Sequence, residues 1–174
     1  MIENNLGGFM HYKQNTEISA LDVAAYIVNY FGEIPTTKLW WLVYMCQVWY
    51  LVWNNNQAPL FKEDLEAWVN GPMVRKLYDN VGGIGKRTVW RVPGGRPGLL
   101  DIKHKMHIQK VIDVFGRISI ASIVFSKAMD LPWKITREGY GEMEACTNVI
   151  DTNVIYEYYK DKHIDDIIQK LMGD

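Results

Sequence analysis

Four histidines, two cysteines and twenty carboxylates are the side chains of this 174-residue chain with the most obvious chemical uses. Their spacing matches few reactions. His104 and His107 stand three apart, on one face of any helix that carries them. Two imidazoles begin a zinc site, but zinc wants three or four ligands, and no third ligand stands at a familiar spacing. The expectation is a solvated pair. Gly83-Ile84-Gly85-Lys86-Arg87-Thr88 looks like a phosphate loop, but that loop needs Gly six residues before its Lys and Ser or Thr directly after it. Those places hold Asn80 and Arg87. Cys46 and Cys146 form no CxxC pair, so two reduced thiols are expected rather than a disulfide framework. There is no GxSxG elbow and no HExxH helix. A hydrolytic carboxylate pair and solvated acids look alike in sequence. No catalytic residue, metal or cofactor is assigned, and the expectation is a protein that is not an enzyme.

Charge is more informative by position than in total. Lys plus Arg is 19 and Asp plus Glu is 20, for a net charge of -1. Between Arg75 and Lys110, nine basic residues face only Asp79 and Asp101, whereas Glu138–Asp174 holds nine acids against Lys160, Lys162 and Lys170. A basic surface around 86–105, with Trp90 as an apolar anchor, suits an acidic partner or a phosphate backbone. The overall balance and the lack of a recognition-helix pattern argue against tight binding of duplex DNA.

The elements that must position these groups read as helices. Ser19-Ala20-Leu21-Asp22 is a capping box with Asp in place of Glu. Leu21, Ala24, Ala25, Val28 and Phe31 then share a face, and Gly32 and Pro35 end the helix. Thr36 or Thr37 caps the next. Its run from Leu39 to Trp53 is apolar all round, so other elements must surround it. At about 15 residues it falls short of the ~20 that a spanning helix needs, so no membrane insertion is expected. Residues 1–17 read as a loosely held leader without the features of a targeting signal, and a cytoplasmic location is expected. Gly71-Pro72 reads as a helix start, Pro being suited to the first helical position. Short extended pieces are expected near 65–69 and 88–92, and turns from Pro93 to Gly98. Helices follow over about 101–115, from Ser119 or Ser122 to before Pro132, over 151–159 and over 164–172. The fold class is thus mainly α: one compact helical domain over 18–174, built around a buried central helix at about 37–53, with a minor β element.

Several of these segments resemble one family. Thr37–Leu51 looks like the aromatic helix of the Panacea domain, the domain of SocA-like antitoxins and of related phage and mobile-element proteins. Glu66-Ala67-Trp68, Gly71-Pro72-Met73 and Leu77-Tyr78 resemble its "EAWxxGPVxxxLY" block. Pro132-Trp133 with Arg137 resembles its "PWxxAR" segment, and 148–159 its closing helix. The likeness covers about residues 20–160. Two of the family's polar places hold Trp40 and Trp41, and Ser126-Lys127 stands where the family often has Thr-His. Trp68, Gly71, Pro72, Pro132 and Trp133 read as a structural signature, with Trp68 filling a large pocket. The resemblance implies an antitoxin that neutralises a cognate protein toxin by direct contact. The alternatives are a proteolytic adaptor that delivers a toxin to a protease, or an enzyme with an unrecognised carboxylate site. Lys86, Arg87, Trp90, Arg91 and Arg96 lie in the stretch least needed for a core, so they are the expected toxin-binding residues. The competing expectation is a helix face bearing whichever of Trp40, Trp41 or Trp53 is exposed.

Overall fold

The computed structural model describes residues 17–82, 88–126 and 130–172. The fold is mainly helical with a minor β component. Helix α1 (Ala20–Phe31) is followed by β1 (Ile34–Pro35) and α2 (Thr36–Trp53). A hairpin of β2 (Glu66–Trp68) and β3 (Gly71–Met73) leads into α3 (Arg75–Val81). Strand β4 (Thr88–Val89) and a 3-10 turn at Pro97–Leu99 precede α4 (Ile102–Phe115). The helices α5 (Ile120–Ser126), α6 (Leu131–Thr136), α7 (Thr152–Tyr159) and α8 (Ile164–Met172) complete the order.

Helix α2 is central, as its all-round apolarity requires. It packs against α1, α4, α5 and α7, and Leu39, Leu42, Val43, Cys46, Val48 and Leu51 are fully buried along it. Its single polar interruption has a use. The buried Gln47 accepts from the Leu60 N–H at 2.9 Å and donates to the Phe61 carbonyl at 3.5 Å, tying the returning chain to the helix. Pro35, rather than a threonine, takes the N-cap place of α2. The chain enters that helix from β1, where Ile34 pairs with Val89 and Pro35 with Thr88, so Thr36 is already helical.

The α1 cap is a complete box: Ser19 and Asp22 each bond the other's backbone. Glu63 extends it from a distant loop, accepting from the Ser19 hydroxyl at 2.6 Å, the Ala20 N–H at 2.9 Å and the Lys76 ammonium at 2.9 Å. Burial pushes the Glu63 carboxyl up, but these three donors outweigh it and hold the group below its usual value. Asn55 and Asn56, both at positive φ, turn the chain out of α2.

Three sequence expectations need correction. Gly71-Pro72 does not start a helix. It forms β3, and α3 begins only at Arg75. A two-residue connection, Val69-Asn70, turns the chain, and Gly71 at φ 119° closes the turn. Pro72 is tolerated because of register. It pairs with Ala67, whose N–H goes to the Asn148 carbonyl and whose carbonyl goes to Arg137, both away from β3. Ala67–Pro72 is therefore a pair without ladder bonds, and the missing proline N–H removes none. Second, α5 ends before Pro132 as expected, but Pro132 belongs to a further helix that the spacing does not predict. The proline lies in the first turn of α6, capped by the Asp130 carboxylate on the Trp133 N–H at 3.1 Å. Third, the strand expected over 88–92 is only Thr88–Val89.

Candidate functional site

The expected toxin-binding stretch is only partly in view: Lys86 and Arg87 lie outside the described residues. Trp90 is 72% exposed, and Arg91 and Arg96 also face solvent. The stretch is not a spacer that the core could do without. Val89, Val92 and Leu100 are buried. The Arg96 N–H donates to the buried Asp22 carboxylate at 2.7 Å. Gly95 lies so close to α1 that a Cβ would stand 2.5 Å from the Leu21 carbonyl oxygen and 2.7 Å from the Ala25 Cβ. Trp90 is thus displayed from a segment clamped between β1 and α1. Of the competing tryptophans, Trp41 is buried, Trp40 is half-buried and Trp53 is exposed at the end of α2.

The signature residues converge on the β2–β3 hairpin. Trp68 does not fill a large pocket. It is half-buried, its ring tilted against that of Tyr78 at 4.8 Å between centroids and covered by the Arg75 guanidinium at 5.2 Å. Its indole N–H donates to Glu66 at 2.7 Å. Trp133 reaches the same hairpin from α6, donating to the Trp68 carbonyl at 2.8 Å. Arg137, buried at the C-terminal end of α6, donates to the Ala67 carbonyl at 2.9 Å. Its other terminal nitrogen donates to the Gly141 and Glu144 carbonyls at 3.0 and 2.7 Å. Chain segments 65–70 residues apart are bolted together by backbone carbonyls, an arrangement of scaffolding rather than of catalysis.

His104 and His107 are not a solvated pair. Both are half-buried against the end of α2. His107 Nε2 donates to the Cys46 carbonyl at 2.8 Å, because that carbonyl can only accept. Burial drives the His107 pKa down to about 4, so the ring is neutral at neutral pH. His104 faces Asp101 through Nδ1 at 2.7 Å and Tyr50 through Nε2 at 3.3 Å. The His104 backbone N–H, with the imidazole beside it, holds the Asp101 carboxyl below its ordinary value. Burial pushes the Cys46 thiol well up, so it stays protonated and inert. Among the described residues, no group of three or more His, Cys, Asp or Glu is arranged to hold a metal ion. No helix among them is long and apolar enough to cross a membrane.

One titratable group escaped the sequence reading. Asp130 is buried between α2 and α7, with one oxygen capping α6 and the other accepting from Tyr159 at 3.4 Å. Burial raises its pKa against those donors. Burial and the Asp130 charge together raise the Tyr44 and Tyr159 phenols well above their usual value. A cavity of about 300 Å³ opens beside it, lined by Trp41, Met45, Tyr158, Lys162 and Leu171 among others. A buried carboxyl whose neutral form is favoured, beside an open cavity, is the arrangement a general acid uses. The aspartate directly before Leu-Pro-Trp was the available signal, and it reads equally well as a helix cap.

No family model, curated protein or solved structure matches the chain.

Proposed function

We propose that the chain is an antitoxin, a binding protein that neutralises a cognate toxin by direct contact. The reading rests on the resemblance to the Panacea domain. One observation carries it further: the residues of that resemblance are engaged with one another. Trp68, Trp133 and Arg137 hold the hairpin, Pro72 sits at a register position that needs no N–H, and Pro132 lies in the first turn of α6. Such residues build a scaffold and leave the outer surface free to be shaped by a partner. Trp90, Arg91 and Arg96 offer an aromatic anchor with arginines beside it on a braced segment, the combination that interface hot spots favour.

The test is genetic and then biochemical. The open reading frame next to this gene is expected to be toxic alone and harmless with this chain, and the two products to co-purify. Replacing Trp90, Arg91 and Arg96 together by Ala keeps the main-chain bond from residue 96 to Asp22 and the approach of Gly95 to α1. The variant should melt normally and rescue poorly. A non-toxic neighbour, or no rescue by the wild-type chain, overturns the reading. Toxin that disappears rather than accumulates in complex favours the proteolytic adaptor instead. A second reading, an enzyme or ligand-binding protein centred on Asp130, is supported by the cavity beside that carboxyl. Turnover or binding of a small molecule that Asp130→Asn abolishes without loss of fold would favour it.

A further inference from the structure

Helix α4 opens on a basic turn. The Asp101 carboxylate caps it, accepting from the His104 N–H at 2.8 Å, and Lys103 and Lys105 follow in the first turn. Ile102 and Met106, one turn apart, are 70% and 66% exposed. The opposite face, with Ile108, Val111, Ile112 and Phe115, is buried in the core, so the helix would be anchored without these features. Trp53 adjoins the outer face from the end of α2, 37% exposed, its ring 5.1 Å from that of His107. The Lys110 ammonium lies 3.8 Å from the Trp53 ring centroid. Helical spacing sets Ile102, Met106 and Lys110 in one stripe with Lys103 beside it.

Four cations of the described residues are neutralised by an ion pair, while others, Arg91, Arg96 and Lys134 among them, are not. Lys62, Arg75, Lys76 and Lys160 each have a carboxylate within 2.9 Å. Among the described residues, Lys103, Lys105 and Lys110 have no such ion pair. Asp101 at the helix start is turned to His104. Asp113, the acid at the far end of the stripe, accepts from the Gln109 amide at 2.8 Å. The result is an apolar stripe flanked by unneutralised lysines on a rigid helix.

We infer that this face of α4 docks an acidic, amphipathic protein segment, with apolar side chains seated against Ile102, Met106 and Trp53 and carboxylates meeting Lys103 and Lys110. That the segment belongs to the toxin rests on the antitoxin reading. A nucleic-acid backbone would use the lysines but not Ile102 and Met106. A membrane-bound helix needs a long apolar face to enter the interface, and here the larger apolar face is already committed to the core.

The test uses two double variants, Lys103→Glu with Lys110→Glu and Ile102→Ser with Met106→Ser. All four side chains leave the core untouched, so both proteins should melt as the wild type does. The probe is a labelled helical peptide with leucines one turn apart and glutamates on both flanks, read by fluorescence anisotropy at low salt. Wild-type binding is expected, about tenfold weaker in each variant, with added salt weakening the wild type more than the charge variant. The same peptide with lysine for glutamate should not bind. Equal binding by wild type and variants overturns the inference. So does preferential binding to phosphatidylglycerol vesicles, or salt-sensitive self-association of the chain alone that the same variants abolish. With the neighbouring gene's product, poor rescue by both variants supports the toxin as occupant. Full rescue by both overturns this surface and leaves the antitoxin reading standing. No rescue by the wild type overturns the antitoxin reading, while the peptide still decides the surface.

Discussion

Replacing Arg137 by Ala should be among the most damaging single changes in this protein. The residue is 6% exposed, and its guanidinium bonds three main-chain carbonyls, of Ala67, Gly141 and Glu144. It also lies 5.2 Å from the Trp133 ring centroid. Hydrogen bonds to a charged donor contribute about 1.5–3 kcal/mol each. Removing the arginine also removes the cost of burying its charge, so the three do not simply add. A net loss of about 3–5 kcal/mol is expected, a large share of the roughly 5–15 kcal/mol that holds a domain folded. The Ala67 carbonyl is the critical acceptor. It points away from β3 and toward α6, so no strand partner replaces the lost donor. Arg137→Lys keeps the charge but not the planar fork, and should recover only part of the loss. Arg75→Ala is the control. Arg75 bonds a carboxylate, Glu66 at 2.6 Å, but its side chain is 51% exposed and screened by solvent, so only a small loss is expected. Urea unfolding followed by far-UV circular dichroism separates the two: at a typical slope of about 2 kcal/mol/M, Arg137→Ala should lower the midpoint by about 2 M. A midpoint for Arg137→Ala equal to that of Arg75→Ala would refute the claim that Arg137 bolts α6 to the hairpin.

Three further outcomes follow from single contacts. His107 has a pKa of about 4 in the fold and about 6.5 unfolded, so the unfolded chain takes up the proton first as pH falls. Stability should be intact above pH ~6.5 and decline toward pH ~4 by up to about 3 kcal/mol, and His107→Gln should flatten that decline in urea titrations across pH. Burial raises the Asp130 pKa, so its contribution is lost as pH rises through the folded value. Asp130→Asn keeps a cap for α6 and should be at least as stable as the wild type at neutral pH, whereas Asp130→Ala should lose about 1–2 kcal/mol; equal melting of the two would remove the capping role. Gly95→Ala forces a methyl against the Leu21 carbonyl and should cost about 1–3 kcal/mol; unchanged melting would mean that the 88–100 segment is not clamped on α1.

How much of this was legible in the sequence depended on whether the deciding contact was local. The α1 cap and the all-round apolarity of α2 are short-range features, and α1, α2, α4, α7 and α8 stand close to where spacing puts them, whereas spacing does not predict α6. Gly71-Pro72 misled because proline's φ suits a first helical turn and an extended strand equally well. What decided between them was a bond from Ala67 to Arg137, seventy residues away. The burial of alternate residues at Ala67, Gly71 and Met73 is the period of a strand, but three residues are too few to read it. The histidines misled for the same reason. Their spacing shows that they share a face, and only the arrival of Tyr50 and Trp53 from α2 makes that face half-buried.

The same division between local and distant contacts bears on function. A residue whose partner lies far along the chain, such as Glu63 on Ser19, Gln47 on Leu60 or Arg137 on Ala67, fixes the arrangement of elements, and changing it disturbs the whole domain. Trp90, Ile102 and Met106 are the reverse: large apolar side chains that the fold holds up to solvent from well-anchored backbone. Burying any of them against a partner returns about 1.5–3 kcal/mol that folding leaves unused, and the rigidity of the backbone beneath keeps the ordering cost of binding small. A surface of that kind, with lysines and arginines around it that have no carboxylate partner among the described residues, is where a partner would gain most. Substitutions there should change binding while leaving the scaffold as it is, so a binding defect without a folding defect is the signature to look for on β4, the Trp90 segment and α4.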